Sequence, residues 1–357
     1  MRYLSMLVFA LFSFSPLAIA TNLGDLLAPV TSRFNQAKAP PDGADLVTLE
    51  PGETEMYPRI SADGKQILVV ASKGKRNWIS RRIVKNGDPV NIVTEDQNAM
   101  TSFGWRGNTK VYFLSSRSVG PGLWERAADG QGMIRQILET HGKLVQATLL
   151  ADGSIIAVRL APVRAMAAQR PHRKKSKITF ENWKSSGYQS QIVHISPNGT
   201  EKTLSAGMNP ALSPDGKRIV FSLREGRSIH LFMMQKDGTG KAQLTDARSI
   251  DVQPTWSPDG KWIAFTSNRA GANMRHPRKG SWDIWSIDSE GRNLTQLTTD
   301  KNRDGAPVVS PDGYVYFHSN RKIDRGMREF HQVRGSTGGF HIWKVRLQQK
   351  NRSLPKA

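Results

Sequence analysis

Ser257-Pro258-Asp259-Gly260-Lys261-Trp262-Ile263-Ala264-Phe265-Thr266-Ser267-Asn268-Arg269 is the stretch that decides the fold. Pro sets φ for the first corner of a tight turn, Asp caps its own backbone, and Gly takes the left-handed position. The apolar run behind the turn reads as a strand buried on both faces. Related copies are centred on Gly64, Asn108, Gly153, Gly216 and Gly313, and Trp105 to Arg117 matches position for position with Asn108 in place of Gly. Successive centres lie 44, 45, 63, 44 and 53 residues apart. A period of roughly 44 with strand-like content is the mark of a β-propeller with one blade per repeat. The chain is therefore expected to be all-β, a six-bladed propeller.

A third strand follows each second one, as in Asp283 to Ile287 and His341 to Val345, then a polar turn, then an outer strand such as Ala242 to Thr245. Turns of the third-to-fourth kind occur at Lys85-Asn86-Gly87-Asp88, Asp129 to Gly132, Pro197 to Gly199, Lys236 to Gly238 and Asp288 to Gly291. Only five such turns serve six repeats. The missing outer strand of the last blade is assigned to Asp45-Leu46-Val47-Thr48-Leu49, ahead of the first repeat. An N-terminal strand that completes the C-terminal blade leaves no open edge.

Arg2, the apolar run Leu4 to Phe14 and Ala18-Ile19-Ala20 have the make-up of a secretory leader, with cleavage expected after Ala20. The expected organisation is a leader over 1–20, a tail and linker over 21–44, the propeller over 45–349 and a basic tail over 350–357. The expected location is the periplasm, and the mature chain is expected to be soluble and monomeric. No Cys occurs, which excludes disulfides and thiolate metal sites.

The string WSPDGKWIAFTSNR, followed by DIW and QLT, resembles the propeller repeat of TolB, the periplasmic component of the Tol–Pal envelope system. The resemblance implies a six-bladed, periplasmic, protein-binding platform with an envelope partner, Pal-like or other. TolB proteins carry an α/β domain ahead of the propeller, where this sequence has about two dozen residues after the leader. The same repeat occurs in propellers of prolyl oligopeptidase-type enzymes and of oligogalacturonate lyase, so the likeness speaks to scaffold first and function second.

The formal net charge is +21. Most of that excess falls in the loops between second and third strands, which share one face of the disc. The loop from Arg159 to Lys184 alone carries eight basic residues against one acid, Glu181. Candidate partner-binding residues are Arg170, Arg173, Lys174, Lys175 and Lys177 there, Arg275, Arg278 and Lys279 in the fifth repeat, and Arg325 and Arg328 in the sixth. They are read either as a surface for anionic lipid, glycan or acidic protein, or as a solvated rim. Behind a leader, nucleic acid is not expected. Phe180 and Trp183 in the long loop pack either on the disc or on a ligand.

Glu55, Asp251 and Asp304 each stand three residues before a Pro that opens an inner strand. They suggest an acidic hub at the channel mouth, explained by loop capping or by a hydrated Ca²⁺ or Mg²⁺. No other cofactor is expected. No Gly-x-Ser-x-Gly elbow, HExxH or phosphate loop occurs. His172, His276 and His331 fall in the three enlarged loops, which keeps a metal-assisted lyase or hydrolase of acidic oligosaccharides as the alternative to a non-catalytic binding platform.

Overall fold

The computed structural model describes residues 43–97, 99–117, 121–162, 180–181, 187–276, 280–331 and 334–347. Among the described residues, twenty-four strands form six four-stranded antiparallel sheets, each a blade. The innermost strands are Thr54–Ile60, Phe103–Arg106, Leu144–Leu149, Met208–Leu212, Asp251–Trp256 and Asp304–Val309. A short α-helix, Arg325–Phe330, sits in the last blade's enlarged loop.

The second strand of each blade packs on both faces, so the same place in each repeat is dry. Val69, Phe113, Ala157, Phe221, Phe265 and Phe317 occupy that place and are all fully buried. Each phenylalanine contributes on the order of 1.5–3 kcal/mol by leaving water. Where the second strand holds Phe113, Phe265 or Phe317, the third strand places Trp124, Trp285 or Trp343 opposite it.

The last blade is closed by the N-terminal strand. Asp45–Leu46 pairs antiparallel with Lys344 and Trp343, and the Val47 and Thr48 amides donate to the Ile342 carbonyl. Packing between blades gives an independent sign of the same closure. A Cβ on Gly130 would meet the Ile92 carbonyl, and one on Gly238 the Leu204 carbonyl, each on the preceding blade's outer strand. A Cβ on Gly87 would lie 1.9 Å from the Val47 carbonyl. Val47 therefore stands where an outer strand stands elsewhere.

Arg82 and Glu55 fasten this seam. Arg82 is buried and pairs with Glu55 at 2.6 Å, Glu50 at 3.3 Å and Glu53 at 3.5 Å. Thr48 donates its hydroxyl to Glu55, while the Ile342 amide donates to that same hydroxyl. First and last blades thus share one polar knot.

The turns follow the sequence reading with one correction. In the second repeat the left-handed residue is Gly107, φ +64°, and not Asn108. Trp105 pairs with Val111 as Trp256 pairs with Ile263, so this turn is one residue shorter than its counterpart. The indoles agree: Trp105 Nε1 donates to the Arg59 carbonyl and Trp256 Nε1 to the Ala211 carbonyl, equivalent places one blade back. Asn108 instead uses its side chain, accepting from the Asp63 amide of the neighbouring blade.

Candidate binding surfaces on the two faces of the disc

Strand direction alternates within a blade, so the Ser-Pro-Asp-Gly turns emerge on one face and the loops between second and third strands on the other. On the turn face, three of the Ser-x-Asp-Gly motifs are built around an internal Ser–Asp hydrogen bond. Ser257 donates to Asp259 at 2.6 Å, and Asp259 accepts the Lys261 amide. Ser213 and Asp215, and Ser61 and Asp63, repeat the arrangement. These hydrogen bonds from the serine hydroxyls hold the Asp63 and Asp215 carboxyls below their ordinary value.

The loop face departs from the sequence reading at its hub. Glu55, Asp251 and Asp304 are fully buried, and each faces an arginine rather than the channel. Asp251 meets Arg269 at 2.5 Å and Asp304 meets Arg321 at 2.6 Å. The Ser-Asn-Arg end of the repeat explains why. Ser267 donates to Asp251 at 2.6 Å, Asn268 accepts the Ile250 amide, and Arg269 lies over Phe265 and Trp285. Asn320 and Arg321 repeat this in the last blade, with Arg321 over Phe317 and Trp343. In the second blade Ser115 and Arg117 hold Asp96.

The three acids of the hub expected from the sequence are therefore interior clasps in the first, fifth and sixth blades, and Asp96 with Arg117 adds one in the second. A buried carboxylate needs a cation more than it needs solvent; the arginine just past the second strand supplies it to Asp251 and Asp304, and Arg82 on the third strand supplies it to Glu55. Burial alone would push Glu55 up; Arg82, assisted by His341 and Thr48, outweighs it and holds the group below its ordinary value. Among the described residues no group of three or more His, Asp or Glu side chains is set to hold a metal ion.

Burial pushes Asp304 up despite Arg321, and its neighbour Asp283 moves in the same direction. Burial, reinforced by the neighbouring Asp304 carboxylate, pushes it up to about 8, and its Oδ1 has no hydrogen-bond partner.

Phe180 takes the packing role. It is buried, stacks on Phe340 at 5.8 Å, and meets Trp282 and His318 edge-on at 5.5 Å. This aromatic group packs against Gly305 on the inner strand of the last blade. Of the predicted partner-binding residues, Arg275, Arg325 and Arg328 are exposed on this face, with Lys73, Lys75, Arg224, Arg227, Lys322 and Arg334 on neighbouring loops. Arg170, Arg173, Lys174, Lys175, Lys177, Arg278 and Lys279 lie outside the described residues, as do His172, Trp183 and the leader. His276 is exposed and His331 half-buried.

The inner strands hold a feature that the sequence reading missed. Tyr57, Gln146, Asn209, Gln253 and Ala306 have φ between +50° and +57° at equivalent bulges in five blades. Such a conformation costs a non-glycine residue on the order of 1–3 kcal/mol. The return is a belt around the channel. Asn209 N–H donates to Gln146 Oε1 at 2.7 Å, Gln253 N–H to Asn209 Oδ1 at 3.4 Å, and Ala306 N–H to Gln253 Oε1 at 2.8 Å. Alanine cannot continue the belt, so His318 from the last blade accepts the Tyr57 amide at its Nδ1, 3.2 Å away. Burial, with Arg59 adding to it, pushes His318 down to about 3, so the ring stays neutral and able to accept.

Six such blades, four of them with a buried or half-buried carboxylate held by an arginine at the loop-side rim, make a six-bladed β-propeller. The family model "TolB beta propeller domain" matches residues 173–277, a little under a third of the chain. Dipeptidyl-peptidase 5 of Porphyromonas gingivalis is 39% identical over 85 residues, covering 22% of this chain and 12% of that protein. The Tol-Pal system protein TolB of Anaeromyxobacter dehalogenans is 42% identical over 60 residues, covering 17% of this chain and 13% of that one. Both matches span only a small part of the relative. A solved structure of a putative TolB from Agrobacterium tumefaciens superposes with a TM-score of 0.51 at 17% identity, over 83% of this chain and 91% of that one. It shares the fold. No helix among the described residues is long and apolar enough to cross a membrane.

Proposed function

We propose that the protein is an exported, non-catalytic binding platform whose basic loop face holds an acidic protein or another anionic component of the cell envelope. The observation that carries this reading is the contrast within that face. Its acidic residues at the strand ends are folded inward and neutralised by arginines, while Arg275, Arg325, Arg328 and their neighbours stay in water. What remains outside is a field that draws anions from a distance and is screened beyond ~8 Å at physiological ionic strength. A rigid disc with an enlarged loop face needs no reacting group to serve this role. The TolB relatives support periplasmic service, and the leader-like segment over 1–20 supports export.

Affinity capture from envelope extract, at low and at moderate salt, tests the reading. The expected result is a discrete acidic partner that is retained at low salt and released as salt rises. Capture that is unaffected by salt, or recovery of the protein with Met1 intact from the cytoplasm alone, contradicts it.

A further inference from the structure

The centre of the disc, on the turn side of the hydrogen-bonded belt, encloses a cavity of about 310 Å³. That is near the small end of ligand-binding pockets. Tyr57, Arg59, Tyr112, Gln146, Asn209 and Gln253 are among its lining residues. None of the exposed basic loop residues is among its lining, whereas Pro214 of a Ser-Pro-Asp-Gly turn is.

Two features give this cavity a definite chemistry. The first is the direction of the belt. Gln146 Oε1 and Asn209 Oδ1 are committed to neighbouring backbone amides. With the oxygen so engaged, each side chain still has its NH₂ donors to offer. The second is Arg59. It is half-buried, donates to the adjacent Pro58 carbonyl at 2.9 Å, and lies 5.6 Å from the Phe103 ring centre. Among the described residues no carboxylate pairs with it, unlike Arg82, Arg269 and Arg321. A guanidinium withdrawn from water without a counter-ion is costly. Burial accordingly pushes Arg59 below its ordinary range.

We propose that this central cavity is a binding site for a carboxylate, received by the Arg59 guanidinium and the side-chain NH₂ groups of Gln146 and Asn209. The planar fork of arginine matches the two oxygens of a carboxylate. The lining supplies one formal positive charge, which balances a monoanion and leaves a phosphate dianion in excess. The site is separate from the loop-face surface: it lies on the other side of the belt and uses other residues. The carboxylate belongs either to a small free acid or to the C-terminus of a peptide.

Calorimetry on the full chain tests the proposal with N-acetylglycine, N-acetylglycinamide, a tetrapeptide with a free C-terminus, its C-terminal amide, and inorganic phosphate. The free acids are expected to bind saturably and the amides not. Tighter binding of the tetrapeptide acid assigns the site to chain ends, and tighter binding of N-acetylglycine assigns it to free acids. Arg59→Gln should weaken the acids roughly tenfold to a hundredfold, the range for hydrogen bonds to a charged group. It should also raise the melting temperature of the unliganded protein, because it removes an unpaired charge. Gln146→Glu keeps the belt acceptor and replaces the NH₂ with an anion, so it too should abolish acid binding. Replacing Arg275, Arg325 and Arg328 by Gln should leave acid binding unchanged. Equal binding of acid and amide, preference for phosphate, or undiminished acid binding in folded Arg59→Gln and Gln146→Glu overturns the proposal.

Discussion

The two faces of the disc are built from the same repeat and fastened by opposite means. On the turn face, Ser213–Asp215 and Ser257–Asp259 are local hydrogen-bonded turns in water. Each satisfies itself and leaves its neighbours alone. On the loop face, Asp251–Arg269 and Asp304–Arg321 are interior ion pairs set over aromatic rings. The first arrangement tolerates change; the second does not. The loop face can therefore carry long, divergent, cation-rich insertions, because its structural acids are already withdrawn from the surface. Stability sits inside that rim and charge sits outside it.

The largest expected effect lies at the seam, which belongs to neither face. Deleting residues 43–49 removes the closing strand and the Thr48 contact to Glu55, and opens the ring. The melting temperature should fall further than for any single substitution. An unchanged thermal transition would show that the seam is ornamental.

Next come the clasps. Asp251→Ala leaves Arg269 buried without a partner and should cost about 3–5 kcal/mol. Asp259→Ala, on the exposed turn, should cost a small fraction of that. Chemical denaturation of the two variants side by side measures the asymmetry directly, and equal losses would erase the distinction between the rims.

Glycines give a finer version of the same test. Gly260→Ala meets nothing closer than 3.8 Å and pays only for its φ of +69°, about 1 kcal/mol. Gly87→Ala has φ +76° as well and drives a methyl into the Val47 carbonyl of the closing strand, so it should cost clearly more. Similar denaturation midpoints for the two would contradict the packing of the seam.

The pH dependence has a definite sign. Folded Asp283 holds its proton to about pH 8, whereas its ordinary value is 3.8. The folded state therefore binds more protons across that window. Stability from this group is fully present below about pH 4 and is lost as pH rises toward 8. Asp283→Asn should flatten the pH dependence of the melting temperature over that range. A variant with the wild-type slope would place the buried proton elsewhere.

How much of this was legible depended on whether the signal was local. Pro258-Asp259-Gly260 specifies a turn by its own chemistry, so blade number and period could be read directly. The closing strand was legible by counting, since five outer turns for six repeats leave one strand owing. The clasps were half legible. Asp251 and Arg269 are both in the repeat, but nothing in their spacing says that a side chain folds inward to meet an arginine two residues past a strand. That takes the third dimension, and the acids were placed at the channel mouth instead. The belt was not legible at all. Asn209-Pro210 and Gln253-Pro254 look like ordinary strand entries, since a residue before proline is normally extended. Their left-handed backbone is held by the next blade, a contact 44 residues away in the case of Asn209 and Gln253.

The claim at the centre of the account is that position, and not charge alone, makes the loop face a binding surface. Two variants with the same change in net charge test it: Arg275, Arg325 and Arg328 to Gln on the loop face, and Lys65, Lys217 and Lys261 to Gln on the turn face. All six side chains are exposed. The measurement is partner capture from envelope extract at low salt by wild type and both variants. The account predicts that the loop-face variant loses its partner while the turn-face variant keeps it. Equal retention, or equal loss, by the two variants would contradict it.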